Sequence, residues 1–94
     1  AVPGAKFFYP VMKLGFLPQP SDPARMAALI GPARTKLLLM GGQKITAEEA
    51  LTFGLIDRIV AAEEVQDHAQ SLAVDTVAAS PDVAQEIKRM CGPA

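Results

Sequence analysis

The sequence has 94 residues, 50% of them apolar and 20% charged, with a formal net charge of −1, so it predicts one small soluble domain. Acidic and basic residues are interspersed and no run approaches the roughly 20 apolar residues of a membrane span, so we expect neither nucleic acid nor a membrane as partner. The single cysteine, Cys91, excludes an internal disulfide, and we expect a cytoplasmic protein without a targeting segment.

The N-terminal part predicts a strand followed by an apolar loop. Residues 5–9, AKFFY, have the aromatic content of a strand, and Pro10 ends it because proline has no N–H for the ladder. Residues 13–20 predict a loop. Its apolar side chains, Leu14, Phe16 and Leu17, indicate that this loop faces a partner or a cavity.

Two short helices follow. Ser21-Asp22-Pro23 is typical of a helix start, with a helix over residues 24–30, and Gly31-Pro32 separates it from a second helix that runs to about Met40. A near-helical spacing of apolar residues continues across this break and predicts one continuous buried surface. Its members are Leu29, Ile30, Ala33, Leu37 and Met40.

Residues 37–60, LLLMGGQKITAEEALTFGLIDRIV, carry a signal at every boundary. Gly41-Gly42 ends a helix, because glycine accepts the left-handed conformation found there. Thr46 and Glu49 have the spacing of a reciprocal capping box. Gly54 ends the helix that this box opens, and residues 55–60 predict a short strand.

The C-terminal part predicts two further helices. Residues 63–79 form a helix with a buried stripe, and Ser80-Pro81 opens a last helix that Gly92-Pro93 ends. About five helices and two strands result, and two strands alone make a weak sheet, so we expect the sheet to be completed elsewhere. The stripe comprises Val65, Ala69, Leu72, Ala73, Thr76 and Val77, and the last helix directs Val83, Ala84, Ile87 and Met90 inward.

The order of these signals resembles a known family. Residues 40–60 are similar to the G-x-x-I-x-A-x-E-A-x-x-x-G-L-V-x-x-V-V run of the crotonase superfamily, the enoyl-CoA hydratase/isomerase proteins. The strand, the loop and the paired helices before this run are similar to the family's Pro-Glu-x-x-x-Gly-x-x-Pro region. The resemblance spans residues 7–88 and includes Pro10, Gly15, Pro18, Arg25, Gly31, Gly41, Ile45, Ala47, Glu49, Ala50, Gly54 and Leu55.

The resemblance implies an α/β, crotonase-like (ClpP/crotonase) fold, of which residues 1–94 are a mostly helical C-terminal portion. Within it we expect a strand and acyl-pocket loop in residues 1–22, the paired helices, capped helix and strand in 23–60, and the C-terminal helices in 61–94. The family's function implies an enzyme, a lyase or isomerase of fatty acid metabolism, that acts on an acyl-CoA thioester through an enolate-type intermediate. The resemblance also implies a homo-oligomer, a trimer or hexamer, and no separate cofactor because coenzyme A is part of the substrate.

Two positions depart from the family pattern. Val11 stands where hydratases and isomerases place a glutamate that transfers a proton, and a valine holds no proton. An acid after the later proline, used by other members, is replaced by Gln19. Asp22 is then the nearest candidate catalytic acid, although its place before Pro23 favours a helix N-cap. These departures suggest an alternative, a non-catalytic crotonase-like binding or oligomerisation module.

Other candidate residues favour structural roles. His68 has no second metal ligand at a suitable spacing, Cys91 is typical of a small passive residue, and Gly41-Gly42-Gln43-Lys44 lacks the frame of a phosphate loop, so we expect no metal site. Leu14, Phe16 and Leu17 have two interpretations, core packing or contact with an acyl chain or a subunit. The family's oxyanion-hole donors lie before the segment that this chain resembles, so we expect the 94 residues alone to be inactive.

Overall fold

A computed structural model of the chain describes residues 1–92. Helices dominate this part of the chain, and the only regular strands within it form one short antiparallel pair. None of its helices is long and apolar enough to cross a membrane. The elements are β1 (Lys6–Phe7), α1 (Val11–Leu14), α2 (Asp22–Ile30), α3 (Pro32–Leu39), β2 (Ile45–Thr46), α4 (Ala47–Phe53), a 3-10 turn (Ala62–Glu64), α5 (Val65–Ala78) and α6 (Pro81–Met90).

The sheet pairs β1 with β2 in antiparallel register, with Phe7 opposite Ile45. Ile45 is 2% exposed and belongs to the hydrophobic core, so the short strand pair brings the N-terminal segment onto the helices. The core cluster consists of Ile30, Leu38, Ile45 and Ala50, with Phe7, Met26, Phe53, Leu55 and Ile56 packed against it.

The predicted strand over residues 55–60 is wrong. Gly54 ends α4 in the left-handed conformation (φ 88°), and the next two amides, of Leu55 and Ile56, both donate to the Ala50 carbonyl. These residues close the helix and pack on the core, so they do not begin a ladder. Further on, the Val60 amide donates to the Ala1 carbonyl at 2.9 Å, which joins the chain's first residue to this segment.

The paired helices α2 and α3 form as predicted, but their apolar faces do not join into the predicted surface. Ile30 is 6% exposed and Leu38 2% exposed, whereas Leu37 and Met40 are 39% and 60% exposed. The cause is Gly31, whose backbone (φ 87°, ψ 158°) is not helical, so a helical spacing counted across it has the wrong phase.

The predicted stripe on α5 is not buried. Neither α5 nor α6 contains a buried residue, and Leu72, Val77 and Ile87 are 60%, 81% and 56% exposed. The inward orientation expected for α6 is therefore also wrong within this chain. The Ser80 cap is confirmed by a hydrogen bond from the Val83 amide to the Ser80 hydroxyl at 3.3 Å, and Pro93 lies outside the described residues.

A short helix, α1, lies where the sequence indicated only a strand end and a loop. The Leu14 amide donates a helical hydrogen bond to the Pro10 carbonyl, four residues earlier, at 3.2 Å. Gly15 ends it in the left-handed conformation (φ 73°), which turns the chain back over the helix. The loop expected over residues 13–20 therefore begins only after this turn.

Candidate functional site

The turn at Gly15 builds one wall of an apolar cleft. The Phe16 amide donates to the Val11 carbonyl at 3.0 Å, which places the residues after the turn beside the start of α1. The opposite wall is the C-terminal end of α3. The cleft has a volume of about 410 Å³ and is lined by Val11, Met12, Gly15, Phe16, Leu17, Pro18, Leu39 and Met40.

The cleft brings together some of the predicted site residues. Val11 is a half-buried part of its lining, while Phe16 and Leu17, 68% and 92% exposed, form its open edge. Leu14 is absent from the lining and is 58% exposed. Leu39 and Met40 line the second wall of the cleft. The sequence predicts only the end of a helix at these residues, so this wall was not predicted.

Asp22 does not act as the predicted N-cap. Ser21 occupies the cap position of α2 without a side-chain cap hydrogen bond, and Asp22 is the first helical residue. The Asp22 carboxylate instead accepts a hydrogen bond of 2.7 Å from the Tyr9 hydroxyl. Because Ser21 holds the cap position, the Asp22 carboxylate caps no backbone N–H and binds the phenol.

The Tyr9–Asp22 pair lies in a different cleft from Val11. That second cleft has a volume of about 240 Å³, and its polar groups come from Tyr9, Asp22 and Arg25. Its other lining residues are Met26, Leu29 and Leu55. A catalytic role for Asp22 at a substrate held against Val11 therefore gains no support from the placement of the two residues.

The hydrogen bond to Asp22 changes the proton affinity of Tyr9. The carboxylate accepts a hydrogen bond from the phenol, which keeps its proton, and this hydrogen bond raises the pKa of Tyr9 above 10.0, its ordinary value. A hydrogen bond from the Gln19 amide to the Tyr9 oxygen opposes the rise. At neutral pH the phenol is protonated, so Tyr9 acts as a hydrogen-bond donor and not as a base.

The remaining candidates lie apart from both clefts. His68 is half-buried, and its Nε2 atom has no hydrogen-bond partner within the described chain. Residues 1–92 contain no group of acidic, histidine and cysteine side chains that could hold a metal ion. Cys91 is exposed after α6. The ammonium of Lys44 lies 5.0 Å from the Phe8 ring centroid, a cation–π contact, so the Gly-Gly-Gln-Lys segment places its lysine on an aromatic ring.

Comparison with known proteins identifies the family. The model of the enoyl-CoA hydratase/isomerase family matches residues 2–92. The chain therefore belongs to the enoyl-CoA hydratase/isomerase family. A carnitinyl-CoA dehydratase from Salmonella paratyphi A is 36% identical over 77 residues, which cover 82% of this chain and 30% of the relative.

Solved structures agree with this family and show the crotonase fold. An enoyl-CoA hydratase/isomerase family protein from Hyphomonas neptunium superposes with a TM-score of 0.85 and 37% identity, covering 96% of this chain and 35% of the other. A Thermobifida fusca protein named as an enoyl-CoA hydratase, solved in complex with CoA, has a TM-score of 0.83 over 92% of this chain and 34% of its own. At 23% identity, that second likeness concerns the fold. The chain thus spans about a third of the length of the proteins it resembles.

Proposed function

We propose that residues 1–94 form the C-terminal portion of a single crotonase-like domain, in an enzyme that acts on an acyl-CoA thioester through an enolate-type intermediate. In this proposal, the cleft between α1 and α3 receives the acyl group. The observation that carries it is the chemistry of the lining, in which every side chain is apolar. Membership of the enoyl-CoA hydratase/isomerase family supplies the class of thioester.

The size of the cleft suits an acyl chain of moderate length. Its volume of about 410 Å³ falls in the range of ligand pockets, about 300–1,000 Å³. Each buried methylene contributes about 0.8 kcal/mol, which is a three- to fourfold gain in affinity. We therefore expect affinity to rise with acyl length until the cleft between Phe16 and Met40 is filled.

The chemistry in this proposal comes from groups outside the cleft wall. Val11 carries no proton, and no other lining side chain is ionisable. Acyl-CoA enolate chemistry needs a proton-transfer group and oxyanion donors, so in this proposal residues outside the cleft lining supply both. The relatives are about three times as long as the matched segment, which leaves room for them.

One observation favours a second function. Valine at the position of the family's glutamate suits a non-catalytic module that binds an acyl-CoA or holds a homo-oligomer together. The apolar faces of α5 and α6, with Leu72 and Ile87 exposed, suit such an oligomer. Turnover separates the two functions, because a binding module retains chain-length selectivity without converting any acyl-CoA.

The experiment uses the full natural polypeptide that carries residues 1–94, called here the parent polypeptide. Calorimetry with acetyl-, butyryl-, hexanoyl- and octanoyl-CoA measures the dissociation constants, and a coupled assay measures turnover of crotonyl-CoA and other acyl-CoAs. Phe16→Ala removes part of one wall of the cleft, and Leu51→Ala is the control on α4, because Leu51 is an apolar side chain, 41% exposed, that lines neither cleft.

We expect Phe16→Ala to weaken binding of octanoyl-CoA about tenfold and binding of acetyl-CoA little, while Leu51→Ala changes neither. Equal affinity for all four thioesters in the unsubstituted polypeptide would show that the cleft does not receive the acyl group. Chain-length selectivity without turnover would favour the binding module over the enzyme.

A further inference from the structure

Three hydrogen bonds join Tyr9, Gln19 and Asp22 in a closed ring. The Tyr9 hydroxyl donates to the Asp22 carboxylate at 2.7 Å. The Asp22 amide donates to the Gln19 carbonyl at 3.0 Å, and the Gln19 amide donates to the Tyr9 oxygen at 3.3 Å. The Tyr9 hydroxyl therefore contacts both Gln19, near the end of the loop, and Asp22, the first residue of α2.

This ring closes the segment that forms the cleft. Tyr9 and Asp22 are 13 residues apart, and between them lie α1, the Gly15 turn and the residues of the cleft's open edge. Inside the segment, the Phe16–Val11 backbone hydrogen bond holds that edge against α1. The hydroxyl is the one side-chain group in the described structure that ties the two ends of the segment to each other.

We infer that the Tyr9 hydroxyl is a positioning group that fixes the open edge of the cleft, Phe16 to Pro18, and so determines how long an acyl chain is selected. This inference rests on the proposed function of the cleft. Tyr9 does not line the cleft and touches no substrate in this arrangement, so its effect passes through the segment that it closes.

The physical basis is conformational entropy. Phe16 and Leu17 are largely exposed, so little burial holds them in place. A segment closed at both ends samples fewer conformations, and each hydrogen bond at the closure shifts its equilibrium about two- to tenfold towards the closed form. The ordinary pKa of a tyrosine, 10.0, already keeps the phenol protonated at neutral pH, so Tyr9 can donate this hydrogen bond there, and the hydrogen bond to Asp22 raises that pKa further.

Two conservative substitutions test the role. Tyr9→Phe keeps the aromatic side chain and removes only its hydroxyl. This change deletes two of the three hydrogen bonds. Asp22→Asn keeps an acceptor oxygen, and Asp22→Ala removes it. Tyr9→Phe combined with Asp22→Ala completes a double-mutant cycle, in which a shared hydrogen bond makes the effects non-additive.

The first readout is amide hydrogen exchange in the parent polypeptide without ligand. We expect Tyr9→Phe to speed exchange of the Phe16 and Gln19 amides two- to tenfold and to leave the Thr35 amide, which donates to the Gly31 carbonyl at the start of α3, unchanged. Faster exchange of the Thr35 amide as well would indicate general destabilisation, and the comparison of Asp22→Asn with Asp22→Ala then decides. Retained protection of Phe16 in Asp22→Asn, with loss in Asp22→Ala, supports the inference, whereas equal protection in both overturns it.

The second readout is chain-length selectivity, measured as the ratio of the dissociation constants of acetyl-CoA and octanoyl-CoA. We expect Tyr9→Phe to lower this ratio two- to tenfold, because only the longer chain reaches the open edge. A purely structural role would weaken both ligands equally and leave the ratio unchanged. An unchanged ratio overturns the inference whether or not Phe16 exchange changes, whereas absence of selectivity before any substitution overturns the proposed function and leaves the exchange test valid.

Discussion

Thr46 and Glu49 exchange hydrogen bonds at the start of α4. The Glu49 amide donates to the Thr46 hydroxyl at 3.1 Å, and the Thr46 amide donates to the Glu49 carboxylate at 3.1 Å. This reciprocal pair is the capping box expected from the sequence, and it satisfies two backbone donors that the helix cannot satisfy itself. It also joins β2 to α4, since Thr46 belongs to the strand and caps the helix.

Replacing Glu49 should destabilise the chain more than replacing its neighbour. Glu48 and Glu49 both lie in the first turn of α4, where a carboxylate favours the helix dipole, but only Glu49 completes the capping box. We expect Glu49→Ala to lower the free energy of unfolding by about 0.5–1.5 kcal/mol more than Glu48→Ala. Thermal unfolding followed by circular dichroism measures the difference, and equal losses would show that the box contributes nothing beyond the dipole.

Two adjacent leucines in α3 should differ even more in how much their replacement lowers the free energy of unfolding. Leu38 is 2% exposed in the core, whereas Leu37 is 39% exposed. We expect Leu38→Ala to cost about 2–5 kcal/mol, as in other buried leucine substitutions, and Leu37→Ala less than about 1 kcal/mol. Chemical denaturation of the two variants gives both values. A larger loss at Leu37 would contradict the helix phase that the structure assigns to α3.

The phase of α3 shows where sequence patterns are reliable. The Thr46–Glu49 box and the glycine at position 54 were predicted because their physics is confined to a few consecutive residues. The apolar face of α2 and α3 was predicted wrongly because the spacing was counted through Gly31, whose backbone conformation is visible only in three dimensions. Residues 55–60 failed for a similar reason, since an apolar alternation does not show that two of its amides close a helix.

The residues of the candidate site also fall into those that the sequence predicts and those that it does not. Phe16 and Leu17 were singled out because apolar residues in a proline- and glycine-rich loop need a partner, and the structure places both on the cleft. For Tyr9, the sequence pattern predicts only a place in a strand. Its contact with Asp22 joins residues 13 positions apart, so no local sequence pattern predicts it. The position of Asp22 before Pro23 also favours a different role, that of a helix N-cap.

The ionisation of Tyr9 should depend on Asp22. The chain has one tyrosine and no tryptophan, so the near-ultraviolet absorbance of tyrosinate reports on Tyr9 alone. Because the Asp22 hydrogen bond raises the Tyr9 pKa above its ordinary value of 10.0, we expect a midpoint above that value. Asp22→Asn should move the midpoint down, while Asp57→Asn, an exposed control, should not.

The same shift gives a direction for stability against pH. The folded-state pKa lies above the unfolded one, so the stabilisation from this hydrogen bond is fully present below about pH 10 and is lost as pH rises through the folded-state pKa. Alkaline unfolding of the unsubstituted chain and of Tyr9→Phe should therefore converge at high pH. Parallel unfolding curves over the whole alkaline range would contradict this assignment.

A charge placed at Val11 should disturb the cleft. Val11 is half-buried among apolar lining residues, so an ionised carboxylate there would lose hydration without gaining a partner from the wall. In the parent polypeptide we expect Val11→Glu to weaken octanoyl-CoA binding about tenfold at neutral pH. The introduced glutamate should titrate above its ordinary pKa, so binding should recover as pH falls and the carboxyl is protonated.

Val11→Gln is the matched control for Val11→Glu, because a glutamine side chain has nearly the size and shape of a glutamate but no charge. Its binding of octanoyl-CoA should lie between those of the unsubstituted protein and Val11→Glu, and it should not depend on pH between about 4 and 8, where a glutamate with a raised pKa titrates. Equal weakening in the two variants would assign the effect to shape, and unchanged binding in both would place the acyl group away from Val11. A pH-dependent loss confined to Val11→Glu would instead show that this position contacts the acyl group and that its apolar character serves binding.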